Sequence, residues 1–310
     1  MSRIHEALKK AEEQRAASQG GHVQPIPGGE ALATGPAAAV PGVGSVPPAA
    51  APAGTPSFAN PFTFETMLAR CVQSHWTPDH KTMLFFASQD QEYGAEEFRT
   101  LRSRLYQMRD KRALKKLLVT SALPKEGKSF VAANLAQVMV RQHGRRALLI
   151  DADLRGARLH DALGTSATPG LSEYLLGERD EFAIMQRGPM ENLFFIPGGR
   201  SVSSPAELVA NGRLKSLLNR VEPLFDWIII DSPPAVPVSD AGLLANYCDG
   251  VLMVVRSNAT PFDIARKARQ EFHDKHLVGV VLNGIDAGSS YTQYYYSAYG
   301  KPNNKGEAQR

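Results

Sequence analysis

Cysteine is nearly absent from this chain, and long apolar runs are missing altogether. Cys71 and Cys248 are the only cysteines in 310 residues, and neither belongs to a CxxC pair. This excludes a disulfide framework, a Cys-rich metal site and an iron–sulfur carrier, and it favours a reducing cytosol. No run approaches the roughly 18 apolar residues that a membrane span requires. The charged start, MSRIHEALKK, is not followed by an apolar signal region. We therefore expect a cytoplasmic chain that is neither secreted nor membrane-spanning.

The chain also lacks a strong charge imbalance. Its 35 basic and 31 acidic residues give a net charge of +4, and no block of like charges stands out. Such a mild excess does not indicate a nucleic-acid partner.

Composition divides the chain into four segments. Residues 1–16 have apolar positions at helical spacing and predict a short amphipathic helix. Residues 17–60 are mostly Ala, Pro, Gly and Val with almost no charge, which predicts a disordered linker. Residues 61–285 form the expected compact domain. Residues 286–310 contain no Leu, Ile, Val, Phe or Met and predict a mobile tail.

Within the compact domain, helical patterns alternate with short runs rich in Ile, Val and Leu. Helical spacing covers 64–72 and about 93–109, and the apolar runs are LLVTS, ALLIDAD, NLFFIPG, WIIIDSPP, GVLMVVRS and LVGVVLNGID. Short apolar runs separated by helices are typical of parallel strands buried on both faces. The sequence therefore predicts a doubly wound, mostly parallel α/β fold with helices on both faces.

A phosphate-binding loop follows the first of these runs. The segment ALPKEGKS, residues 122–129, has P-loop spacing with Ala in place of the first Gly, and it lies between a predicted strand and a predicted helix. We expect Lys128 to bridge the β- and γ-phosphates of ATP and Ser129 to ligate Mg²⁺. The expected nucleotide-binding residues are Pro124, Lys125, Glu126, Gly127, Lys128, Ser129 and Phe130.

Three carboxylates end apolar runs. Asp231 ends WIIID in the manner of a Walker B motif, and Asp151 and Asp153 end ALLIDAD, where alternation places both on one side of the chain. A single strand-end Asp is as often a helix cap as a ligand. Three of them beside a P-loop predict a metal site formed by Ser129, Asp151, Asp153 and Asp231.

Together these motifs resemble the bacterial tyrosine kinases of capsule and exopolysaccharide loci. The matching segments are ALPKEGKS, ALLIDADLR, WIIIDSPP and YTQYYYSAY. The resemblance extends to Glu96, Arg99 and Arg102, which the family uses for subunit contact, although the same spacing also suits a solvated helix face. Two segments depart from the family pattern: Gly156-Ala157 replaces Lys-Pro after the Walker A′ arginine, and Ser203-Ser204-Pro205 keeps only the last residue of a Pro-Asn-Pro element.

The resemblance implies an ATP-dependent tyrosine autokinase that regulates exopolysaccharide or capsule synthesis. Its catalytic residues would be Lys128, Asp151 and Asp153, with Asp151 as the base and Asp153 and Asp231 serving the metal. Five of the nine tyrosines lie in the tail, and the alternative to a phosphoacceptor role is a recognition tail. The implied phosphoacceptors are Tyr291, Tyr294, Tyr295, Tyr296 and Tyr299.

The implied partners follow from the same family. Many members fuse the kinase to a membrane-spanning activator, and this chain resembles the stand-alone type. We therefore expect a membrane-embedded polysaccharide chain-length or activator protein, a homo-oligomer and a cognate tyrosine phosphatase as partners. The expected location is cytoplasmic and peripheral to the inner membrane through that partner, with residues 2–15 as a hypothetical tether.

Two other functions share the P-loop. A partitioning-type switch ATPase would carry a second lysine five residues before the P-loop lysine, where this chain has Leu123. A nucleotide-binding scaffold of a polysaccharide assembly complex would be expected to lose part of the catalytic set, which is complete here.

Overall fold

The computed structural model describes residues 63–86, 92–272, 275 and 277–285. The predicted N-terminal helix, the linker and the tyrosine-rich tail lie outside the described residues. Within them, eight strands form one sheet. The strands are β1 (Val72–Gln73), β2 (Lys116–Ser121), β3 (Ala147–Asp151), β4 (Gln186–Arg187), β5 (Leu193–Ile196), β6 (Trp227–Asp231), β7 (Gly250–Arg256) and β8 (Leu277–Asn283).

Helices connect these strands, as the alternating pattern predicts. They are α1 (Phe64–Arg70), α2 (Glu92–Arg109), α3 (Lys128–Val140), α4 (Leu159–Leu163), α5 (Leu171–Leu176), α6 (Glu181–Ile184), α7 (Pro205–Ala210), α8 (Arg213–Val221), α9 (Asp240–Ala245) and α10 (Phe262–Gln270), with a 3₁₀ turn at Glu222–Leu224. None of these helices is long and apolar enough to cross a bilayer. The first helix ends earlier than predicted, because Cys71 has extended backbone and Val72 pairs with β4.

The sheet order is β1-β4-β5-β3-β6-β2-β7-β8, and every neighbouring pair is parallel except β4 with β5. The prediction of a mostly parallel, doubly wound fold is confirmed. The two-residue strands β1 and β4 were not predicted, because runs of two residues carry no periodic signal.

Burial explains why β6 lies at the centre of the sheet. All five residues of β6 and of β3 are buried, and apolar clusters cover both faces of the sheet. Burying each Ile of the run WIIID contributes about 1.5–3 kcal/mol relative to exposing it. The strand β8 departs from the expected two-sided burial, since Val280 and Leu282 are exposed on this edge strand.

Strand register brings the predicted site residues to one edge. Asp151 pairs with Asp231 between β3 and β6, and Val119 of β2 pairs with Asp231 from the other side. Because these three strands are parallel, the P-loop after β2 and the carboxylates of β3 and β6 meet at the same carboxyl edge.

Candidate nucleotide-binding and active site

The P-loop joins β2 to α3 through two left-handed residues. Lys125 has φ +66° and Gly127 has φ +95°. The backbone angle at position 127 favours glycine, and a β-carbon there would also displace the side-chain amide of Asn283. The first amides of α3 have no intrahelical acceptor and lie at the positive end of the helix, which is a general anion-binding arrangement.

Glu126 braces this loop from within and is almost fully buried. Its carboxylate accepts hydrogen bonds from the backbone N–H of Leu123, at 2.7 Å, and from the hydroxyl of Thr260. The side-chain amide of Asn283 donates to the Glu126 carbonyl at 2.9 Å. Thr260 follows β7 and Asn283 ends β8, so both are far from the P-loop in the sequence. Neither matches a short motif, and the sequence alone did not indicate them.

The other predicted loop residues have distinct positions. Pro124 and Lys125 are exposed, and Pro124 has no N–H to donate. The ring of Phe130 packs edge-on against Phe98, with centroids 5.8 Å apart, so this side chain contributes to the core.

Lys128 is surrounded by the predicted metal residues. Its Nζ lies 2.8 Å from Asp153 Oδ2, 3.9 Å from Asp231 Oδ2 and 3.3 Å from Ser129 Oγ. Burial opposes the charged form, but the carboxylates of Asp231 and Asp153 outweigh it and raise the pKa of Lys128. The ammonium therefore stays charged where a phosphate would approach.

Ser129 and Asp231 form the second contact of the site. The Ser129 hydroxyl donates to Asp231 Oδ2 at 2.5 Å. Asp231 Oδ1 is buried and has no hydrogen-bond partner among the described residues. Burial raises the pKa of Asp231, while Lys128 opposes this rise. A buried oxygen without a donor suits a cation or its bound water.

Asp151 and Asp153 occupy different environments although they are two residues apart. The Oδ2 atom of Asp151 accepts the backbone N–H groups of Arg158 and Leu159, each at 3.1 Å, and its Oδ1 accepts the N–H of Asp153 at 3.3 Å. Burial raises the pKa of Asp151 even though these bonds favour its ionised form. Because an ionised carboxylate has about four lone-pair sites, it can accept a further hydrogen bond beyond these three N–H donors.

Arg155, next along the Walker A′ segment, is held by a residue that sequence reasoning did not select. Its Nε and Nη2 atoms donate to the two oxygens of Asp240, at 2.6 and 3.1 Å. Asp240 is buried at the start of α9. This bidentate pair ties the loop carrying Asp153 to α9.

The predicted subunit-contact residues lie on α2. Arg99 forms an ion pair with Glu96 at 3.1 Å. Arg102 donates to the carbonyl of Val138 in α3, at 2.9 Å, so it links two helices of its own chain. The phosphoacceptor prediction falls on Tyr291, Tyr294, Tyr295, Tyr296 and Tyr299, which lie outside the described residues.

Comparison with known proteins adds sequence and structural relatives. A family model described as an AAA domain matches residues 125–262. The tyrosine-protein kinase YwqD of Bacillus subtilis is 35% identical over 212 residues, covering 68% of this chain and 88% of YwqD. The kinase domain of the Escherichia coli tyrosine kinase ETK superimposes with a TM-score of 0.63 at 29% identity, covering 67% of this chain and 82% of that domain.

Other relatives are much longer. The putative tyrosine-protein kinase EpsB of Ralstonia nicotianae is 35% identical over 226 residues, which is 69% of this chain but 30% of EpsB. The chain thus spans less than a third of that relative.

Proposed function

This chain belongs to the bacterial tyrosine-protein kinases, and we propose that it transfers the γ-phosphate of ATP to tyrosine hydroxyls of its own C-terminal segment. The family and enzyme class predicted from the motifs are confirmed. The observation that carries the proposed chemistry is the convergence of Ser129, Asp153 and Asp231 on Lys128, each within hydrogen-bond or ion-pair distance of its Nζ.

Nucleotide binding would use the P-loop as it is braced in this structure. The amides at the start of α3 would face the β-phosphate, and Lys128 would reach the β- and γ-phosphates. The internal bonds of Glu126 hold the loop conformation, so little ordering would accompany binding.

Magnesium fits the contact between Ser129 and Asp231. No three His, Cys, Asp or Glu side chains of the described ranges are arranged to hold a metal ion by themselves. A Mg²⁺ ion held by Ser129 and Asp231, with Asp153 nearby, would take its remaining ligands from water and nucleotide phosphates. When bound, the ion would neutralise charge on the transferring phosphate.

Asp151 is our proposed base for the incoming tyrosine. Its buried carboxylate has a raised pKa and is fixed by backbone N–H groups, which holds it in one orientation. A phenol, with a pKa near 10, loses its proton far more readily than an aliphatic hydroxyl, so a carboxylate can serve as the acceptor. Lys128 would offset the negative charge that develops on the phosphoryl oxygens.

The acceptors, partners and location complete the proposal. The tyrosines at 291, 294, 295, 296 and 299 would accept phosphate, each adding about −1.5 to −2 charges. This change would weaken an assembly formed through Glu96, Arg99 and Arg102.

We propose that the kinase works in the cytoplasm beside a membrane-embedded polysaccharide chain-length or activator protein. A cognate phosphatase would remove the phosphates from its tyrosines, and residues 2–15 would tether the kinase to its partner.

The test is to incubate the purified chain with ATP and Mg²⁺, with and without the cytosolic segment of a candidate activator. Phosphate release and phosphotyrosine are both measured, in the native chain and in a variant whose five tail tyrosines are Phe. We expect phosphotyrosine in the tail of the native chain and little in the variant. Phosphate release without any phosphotyrosine would instead support a switch ATPase, and nucleotide binding without turnover would support a scaffold.

A further inference from the structure

The fold gathers basic side chains at the sheet edge opposite the active site. The loop from α2 to β2 and the loop from α3 to β3 lie at the amino ends of two parallel strands, both of which flank β6. We call the cationic residues of these two loops, together with two from the last turns of α2, the basic edge: Arg104, Arg109, Lys111, Arg112, Lys115, Arg141, Arg145 and Arg146. They come from stretches some thirty residues apart in the sequence, which explains why no single charge block marks them.

Contacts around Asp226 hold the two halves of the basic edge together. Arg145 forms an ion pair with Asp226 at 2.9 Å, and Arg109 donates to the Asp226 carbonyl at the same distance. The guanidinium of Arg109 also lies 5.3 Å from the Trp227 ring centre. These contacts fix the Arg109 side of the basic edge against the Arg145 side.

Three carboxylates at this edge are already engaged, and one more, Asp110, is exposed within the first loop. Asp226 is bound by Arg145, while Glu222 pairs with Lys116 at 2.5 Å. Asp249 accepts the backbone N–H groups of Lys115 and Lys116. By contrast, the side chains of Arg104, Lys111, Arg112 and Lys115 form no ion pair within the part of the chain that the structure describes. Arg104 and Lys111 are exposed.

We propose that the basic edge is a docking surface for the anionic lipid headgroups of a membrane. Long cationic side chains near such a surface each strengthen binding by about fivefold. The two loops contain no Phe, Tyr or Trp, the rings on which single-stranded nucleic acid mainly stacks, although the imidazole of His143 is exposed in the second loop. Docking through this edge leaves the P-loop, at the opposite ends of the same strands, facing away from the lipid.

This inference is independent of the kinase reaction, since none of its residues belongs to the nucleotide site. It differs from tethering through a protein partner because it requires only lipid. The proposal also predicts that vesicle binding weakens strongly as ionic strength rises, because charges on an exposed surface are screened over about 10 Å at 0.1 M salt.

The experiment measures sedimentation of the full chain with vesicles of phosphatidylglycerol mixed into phosphatidylcholine, and with vesicles of phosphatidylcholine alone. The test variant is Lys111→Gln/Arg112→Gln/Lys115→Gln. The matched control removes three exposed charges elsewhere: Arg179→Gln/Lys215→Gln/Lys267→Gln. We expect the native chain and the control to bind the anionic vesicles, and the test variant to bind about 100-fold more weakly. Lys111→Gln alone should lose about fivefold.

Unchanged thermal unfolding and autophosphorylation in the test variant would establish that it is folded. Equal binding to the two vesicle types would overturn the proposal, as would equal losses in the test and control variants. Binding of the native chain to duplex DNA but not to anionic vesicles, with the same three residues required, would overturn it in favour of a nucleic-acid surface.

Discussion

Lys128 Nζ lies 2.8 Å from Asp153 Oδ2, so one carboxylate of the Walker A′ segment pairs directly with the P-loop lysine. Asp151 instead accepts backbone N–H groups from the start of α4. The two carboxylates should therefore respond differently to the same substitution.

We expect Asp151→Asn and Asp153→Asn each to lower the rate of autophosphorylation by orders of magnitude. Asp151→Asn should lower the thermal unfolding midpoint more than Asp153→Asn, by several degrees. Its amide nitrogen replaces one carboxylate oxygen and leaves buried N–H donors short of an acceptor, at about 1–3 kcal/mol, whereas Lys128 keeps Asp231 as a partner when Asp153 is replaced. Rates and midpoints measured on both variants test this. Near-normal turnover in Asp151→Asn would assign the base elsewhere.

Asp231 should govern the response to magnesium. In the native chain, ATP with Mg²⁺ should raise the unfolding midpoint more than ATP with a chelator, because the ion would link Ser129 and Asp231 to the phosphates. Asp231→Asn should lose this difference. Asp226→Asn is a matched control at the opposite end of the same strand and should keep it. An intact magnesium response in Asp231→Asn would argue against this metal site.

The pair of Arg155 and Asp240 should position the Walker A′ loop. Arg155→Lys keeps the charge but loses the bidentate geometry, and we expect it to lower the autophosphorylation rate roughly tenfold or more. Nucleotide affinity, measured by calorimetry, should change little, since neither Arg155 nor Asp240 takes part in the hydrogen bonds of Glu126 that brace the P-loop. A large loss of affinity with an unchanged rate would contradict a positioning role.

Substitutions on α2 should distinguish effects on subunit assembly from effects on the stability of the fold. Glu96→Ala/Arg99→Ala should sediment as a monomer and autophosphorylate weakly, while its thermal midpoint stays close to that of the native chain. Arg102→Ala should also lower the midpoint, because Arg102 donates to Val138. If the double variant assembles like the native chain, the Glu96 face of α2 is an ordinary solvated surface.

The sequence predicted the main strands and the P-loop because each carries a local signal. WIIID and ALLID are apolar runs that end in Asp, and the strand–loop–helix context of ALPKEGKS is contiguous. These signals were sufficient to place Lys128, Ser129, Asp153 and Asp231 at one edge.

The supporting residues could not be predicted in the same way. Asn283 reaches the site from β8, Thr260 from the loop before α10, and Asp240 from α9. Their roles therefore depend on strand order rather than on local spacing. The basic edge was missed for the same reason. Charge counted along the chain does not show that Lys111 and Arg145 lie at the same end of two parallel strands.

The most direct test of the account is to map phosphotyrosine by mass spectrometry after incubation with ATP and Mg²⁺, in the native chain and in Lys128→Met. Methionine keeps the length of the side chain but removes the charge proposed to contact the transferring phosphate. We predict phosphate on tyrosines between positions 291 and 299 in the native chain, and none in a folded Lys128→Met variant. Undiminished phosphotyrosine in that variant would contradict the assignment of the P-loop as the kinase site.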